Sequence, residues 1–141
     1  MIAILQIENG IWALEEDGRN VLLADCLRFG IKKQDRTSLM NILTAAVGLL
    51  REGKNFDVLI RKNQIKKLDR EKEAVKENIW EVRSEGWGGR IVFVLKDPDT
   101  IIVSAVDKGK GSLSQAINRG IKRWKQFLKE QEKFPLLKHW V

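Results

Sequence analysis

The chain has 141 residues, 43% hydrophobic and 32% charged, with a formal net charge of +7. Such a length and composition predict one folded domain over 1–141 and exclude an intrinsically disordered chain. No apolar stretch approaches the ~20 residues of a membrane span, and Glu8 interrupts an opening MIAILQIENG that lacks a basic flank, so neither membrane helix nor signal peptide is expected and a cytoplasmic location follows.

In chain order, Ile2, Ile4, Leu5 and Ile7, then Ile11, Trp12 and Leu14, flank the turn dipeptide Asn9-Gly10 and predict a β-hairpin. Asp17-Gly18 closes its second strand. Asn20 is placed to cap a short helix over Val21 to Phe29, with Gly30 after it and Leu22, Leu23, Cys26 and Leu27 turned inward. The sole cysteine, Cys26, lies in this apolar run and reads as a buried structural thiol. Asp35, Thr37 and Ser38 offer caps for a second helix, in which Leu39, Ile42, Leu43, Ala46, Val47, Leu49 and Leu50 recur at helical spacing until Gly53. From Lys54 to Asn78 the chain is charge-mixed, with an extended candidate at Val58 to Ile60, apolar anchors at Ile65 and Leu68, and a loop or short helix over 70–78.

The β pattern then sharpens. Strands are predicted over 79–84, 90–95 and 101–106, joined by the glycine-rich EGWGG and the turn KDPDT, as an antiparallel meander. After DKGKG, Ser112 caps a last helix whose apolar stripe holds Leu113, Ala116, Ile117, Gly120, Ile121, Trp124, Phe127 and Leu128. Its other face carries Asn118, Lys122, Lys125 and Lys129, flanked by Arg119 and Arg123. Pro135 ends it, leaving a tail within 132–141 that holds His139 and Trp140.

Charge is distributed unevenly. Residues 1–50 hold 5 Lys+Arg against 6 Asp+Glu, and residues 51–141 hold 21 against 13. A basic surface of this kind suits phosphate backbones or an acidic protein. In an antiparallel meander Arg83 and Arg90 meet at the mouth of the glycine loop, and the end of the third strand, with Lys108 and Lys110, lies beside the start of the second. Glycines admit close backbone approach and the capped helix start favours anions. Two guanidiniums, two ammoniums and a helix N-terminus are what holding a phosphodiester requires. Trp87, between glycines, is the tryptophan placed for base stacking, whereas Trp80 and Trp124 fit the core. Asp57 with Glu81-x-Arg83 resembles a metal-nuclease acid pattern, but no further carboxylate completes a cation site, so no metal and no cofactor are expected.

The words in this order resemble the RelE/HigB superfamily of toxins, in particular its phage-derived HigB-like branch. The resemblance rests on Asp17-Gly18-Arg19, LREG (50–53), IKKL (65–68), IWEVRSEGWGGRIVFVL (79–95) and IIVSAVDKGKG (101–111). It implies an α+β fold in which an N-terminal hairpin and two helices pack on a small antiparallel sheet with a C-terminal helix. It also implies a metal-free endoribonuclease that cuts mRNA on the ribosome and is neutralised by an antitoxin protein. Arg90, Lys108, Lys110 and Arg83 match the family's catalytic cations, and Trp87, Arg119, Lys122 and Arg123 are the expected RNA contacts. The chain departs from that pattern in having no tyrosine and, as its only histidine, His139. Asp107, Glu81 and Glu85 then remain as proton acceptors and a lysine as the acid. The alternative expectation is a phage-derived protein on the same scaffold that binds RNA or protein without cleaving it.

Overall fold

A computed structural model describes residues 1–69 and 72–133. The predicted Pro135 stop and the tail residues His139 and Trp140 lie outside these residues.

The hairpin forms as expected from β1 (Ile2–Glu8) and β2 (Ile11–Glu16), with a positive φ of 82° at Gly10 making the turn. A two-residue β3 (Arg19–Asn20) leads into α1 (Val21–Arg28), where the Asn20 carboxamide accepts from the Leu22 and Leu23 amides at 2.9 and 3.4 Å. The inward face of α1 differs from the prediction. Leu22 and Cys26 are buried, but Leu23 and Leu27 are exposed, and Val21 and the carboxylate of Asp25 take the inner positions. Burial pushes the Cys26 thiol up to about 11, consistent with a packing role.

The long helix α2 (Lys33–Arg51) buries Leu39, Leu43, Ala46, Val47 and Leu50. It begins ahead of the predicted caps, so the Thr37 and Ser38 hydroxyls bond back to the Lys33 and Gln34 carbonyls within the helix. The connector is more ordered than its composition suggested. The extended candidate at 58–60 is helical, within α3 (Asp57–Arg61), because Asn55 accepts from the Asp57 amide and Leu59 anchors the turn in the core. Ile65 begins β4 (Ile65–Lys67), and a single turn of helix, α4 (Lys72–Lys76), follows.

The meander is present as β5 (Ile79–Arg83), β6 (Gly89–Lys96) and β7 (Asp99–Asp107). It leads to α5 (Leu113–Lys133), which takes up the first two residues assigned to the tail. The Ser112 hydroxyl accepts from the Gln115 amide at 3.2 Å, as a cap does. The expected small antiparallel sheet is corrected. Among the described residues the strands form one seven-stranded mixed sheet of order β1-β2-β7-β6-β5-β4, with β3 on β2. It is mixed because the hairpin docks along β7 in parallel, Ile11 to Ala13 facing Thr100 to Ile102, pinned where the Thr100 amide and hydroxyl both donate to the Gly10 carbonyl.

Helices cover both faces. One core joins Leu22 and Cys26 of α1 to the inner side chains of α2 and α3, over Ile91, Phe93 and Ala105. The other joins Ala74 of α4 to Ile117, Ile121, Trp124 and Phe127 of α5, over Val92, Val94 and Val103. Gly120 lets α5 approach most closely, since a Cβ there would lie 2.7 Å from Val103 Cγ2. No helix among the described residues is long and apolar enough to cross a membrane.

Candidate phosphate-binding site

The register of the meander brings two of the predicted cations together. Arg83 of β5 is the cross-strand partner of Arg90 of β6, and two pairs further along Glu81 faces Val92 on one side and Lys66 of β4 on the other. Side chains directly opposite one another share a face, as do those two apart in a strand. Lys66, Glu81, Arg83 and Arg90 therefore stand on the side of the sheet that carries α5, at the end where β7 turns into it.

The Glu81 carboxylate is the centre of this group. Its side chain is 3% exposed, and its nearest ion pair is to Arg83 Nε at 3.6 Å. Oε2 has no hydrogen-bond partner. Burial raises the Glu81 pKa above the ordinary carboxylate value, opposed by Arg90, Arg83, Lys66 and Lys108 in that order. Arg90 is itself buried, donates from Nη1 to the Gly89 carbonyl at 2.8 Å and leaves Nε without a partner. Burial lowers its pKa, against the opposing pull of Glu81. Arg83 is held from the other side by Asn63, whose Oδ1 accepts from Nη1 at 2.7 Å. Asn63 takes a positive φ of 60° in the turn between α3 and β4.

Glu81 also lines a pocket of about 190 Å³ between β4 and the first turn of α5, walled by Lys66, Lys67, Leu68, Asp69, Leu113, Ser114 and Ile117. A second, more polar recess of about 420 Å³ lies on the other side of Arg83, among Lys62, Asn63, Gln64, Ser84, Glu85 and Gly86.

The other predicted residues divide. Lys108 joins the group: its amide donates to the Gly88 carbonyl at 2.8 Å, its side chain is exposed, and its charge acts on Glu81. Lys110 leaves it, since its Nζ lies 2.8 Å from where a Cβ on Gly30 would stand, at the C-terminal end of α1. Trp87 packs over Gly89 against the core on the α2 side, so its indole is on the face of the sheet away from Arg83 and Arg90. Lys122 is exposed on the outer face of α5, ~12 Å along the helix axis from Ser114 at 1.5 Å per residue.

Arg119 and Arg123 are turned inward, contrary to the expectation that they contact RNA. Among the described residues no strand pairs with β7 on its β2 side beyond Ile102, and groups left there are taken by side chains. Asp25 Oδ2 accepts from the Ala105 amide at 3.0 Å, while Arg123 donates to the Val103 carbonyl at 3.0 Å and Arg119 to the Ala105 carbonyl at 3.1 Å. The arginines in turn hold Asp25, Arg123 through both terminal nitrogens at 2.9 and 3.1 Å and Arg119 at 3.4 Å. A sheet edge and a buried carboxylate satisfy one another. The clue lay in Asp25 itself, a carboxylate on the buried stripe of a short helix, together with two arginines four residues apart on α5.

Among the described residues no three His, Cys, Asp or Glu side chains are grouped so that they could hold a metal ion. Comparison of the chain with protein-family models, with curated proteins and with solved structures finds no match.

Proposed function

We propose that the chain cleaves RNA without a metal at the cluster of Glu81, Arg83, Arg90 and Lys108, as a toxin-type endoribonuclease of the RelE/HigB kind. The observation that carries this reading is the buried, unpartnered Glu81 oxygen among four cations. Such an arrangement has the parts that transesterification of RNA needs. Glu81 takes the proton of a ribose 2′-OH, whose oxygen attacks the adjacent phosphorus. Arg90 and Arg83 hold the phosphoryl oxygens as charge builds on them. The bond to the 5′ oxygen breaks, that oxygen takes a proton from the Lys108 ammonium, and the products are a 2′,3′-cyclic phosphate and a 5′-hydroxyl. Glu81 thereby fills the role that the missing tyrosine and histidine leave open.

Since Glu81 must be ionised to accept the proton and burial raises its pKa, cleavage rises with pH through a midpoint above the ordinary carboxylate range, which a pH–rate profile reads directly. The resemblance adds mRNA on the ribosome as substrate and an antitoxin protein as partner. Induced expression tests the reading in cells: it predicts growth arrest relieved by Arg90→Ala, and harmless expression with intact mRNA would refute it. A second reading, an RNA-binding protein that does not cleave, is favoured by how little of Glu81 is exposed, 3% of its side chain.

A further inference from the structure

The pocket beside Glu81 has a chemistry of its own. Leu68, Leu113 and Ile117 supply apolar walls, Lys66 and Ser114 supply donors, and Asp69 supplies an acceptor. Lys67 brings no charge to the pocket, because its ammonium lies over the Trp80 ring, 5.7 Å from the centroid, and Trp80 packs on the opposite face of the sheet. Leu113 and Ser114 open a helix of 21 residues, where amides point toward the pocket end of the axis. The buried Glu81 carboxylate lies at its wall with one oxygen unbonded.

From this we infer that the pocket receives the nucleobase on the 5′ side of the scissile phosphate, and that it favours a base with a lactam edge, guanine or uracil, over adenine. The inference rests on the proposed RNA cleavage. If the 2′-OH of a nucleotide meets Glu81 and its 3′-phosphate meets Arg90 and Arg83, the base attached to that ribose is directed away from the arginines, where β4 and α5 leave the only cleft that Glu81 lines among the pockets described. Apolar walls suit a base ring. A lactam edge sets C=O beside N–H, so the carbonyl meets Lys66 or Ser114 and the N–H meets Asp69. Adenine has no carbonyl to offer these donors.

The test uses the full chain, with ribose 3-phosphate, 3′-AMP, 3′-GMP and 3′-UMP titrated in turn and arginine Nε–H and Leu and Ile methyl resonances followed by NMR. All four ligands are expected to shift Arg83 and Arg90. Only the nucleotides should shift Leu113 and Ile117, and 3′-GMP and 3′-UMP should bind about tenfold more tightly than ribose 3-phosphate or 3′-AMP, the worth of one or two net hydrogen bonds. Leu113→Trp, a substitution at the half-buried rim, should remove that preference and leave phosphate binding intact. Arginine shifts without methyl shifts, or equal affinity for all four ligands, would overturn the pocket assignment and leave the cleavage site standing. Absence of arginine shifts with every ligand would overturn both.

Discussion

Two clusters in this molecule are built from the same parts, one buried carboxylate and two arginines, and they differ in how the carboxylate is bonded. Asp25 accepts four hydrogen bonds, three from Arg119 and Arg123 and one from the Ala105 amide. Glu81 accepts none, and meets Arg83 only at ion-pair distance. In both clusters the Nε atoms of the arginines lack hydrogen-bond partners, so the difference lies in the carboxylates and the terminal nitrogens. A buried carboxylate whose acceptor sites are filled is a fastener with no capacity left for a ligand. A buried carboxylate with an unbonded oxygen, on a side chain that lines a pocket beside cations, keeps an acceptor that Asp25 has already committed.

The largest expected effect comes from breaking the fastener. Asp25→Ala leaves two buried or half-buried guanidiniums and the β7 edge without their acceptor and should cost about 3–5 kcal/mol in a denaturant titration. Next is the cluster proposed to bind phosphate, where Arg90→Ala should lower the cleavage rate by about 100-fold or more. Its effect on stability should be smaller than that of Asp25→Ala, and a reversed order would undo the distinction between the clusters.

Glu81→Gln should go the other way in stability while abolishing cleavage. Burial raises the folded-state pKa of Glu81 above its unfolded value, so the carboxylate weakens the fold as pH rises from the unfolded pKa through the folded one, above which the loss is complete. The amide variant should therefore be the more stable protein at neutral pH, with the gain disappearing below pH of about 4.3, the ordinary glutamate value. Equal stability at pH 7 would mean that the cations already offset the burial. The smallest effect belongs to Lys122→Ala. This exposed side chain on the outer face of α5 should change stability by no more than about 0.5 kcal/mol and leave the cleavage rate unaltered.

These contrasts also explain what the sequence could and could not reveal. Turn dipeptides, the Asn20 cap and the stripes on α2 and α5 mark elements through local chemistry, and those elements stand where the pattern puts them. The parallel docking of β2 on β7 depends on contacts between residues some ninety positions apart, such as Gly10 with Thr100, and leaves no local trace. Helix α3 reads as extended because Val58 and Ile60 are β-branched, yet Asn55 and Leu59 decide its conformation. In the site, the meeting of Arg83 with Arg90 follows from strand order alone. The inward turn of Arg119 and Arg123 does not, because an arginine on a helix shows its role only once the buried carboxylate it serves is known. Lys110 and Trp87 were placed by neighbourhood in the chain. The turn into α5 sends the first toward Gly30, and the close approach at Gly89 takes the second to the opposite face.

The most direct test of the central claim is cleavage by the purified protein in excess chelator, on a short RNA both free and on translating ribosomes, with the ends of the products identified. The account predicts 2′,3′-cyclic phosphate and 5′-hydroxyl ends, no cleavage of the same sequence carrying 2′-O-methyl riboses, and loss of the products with Arg90→Ala. RNA that stays intact in both settings, or cleavage that Arg90→Ala leaves unchanged, would contradict it.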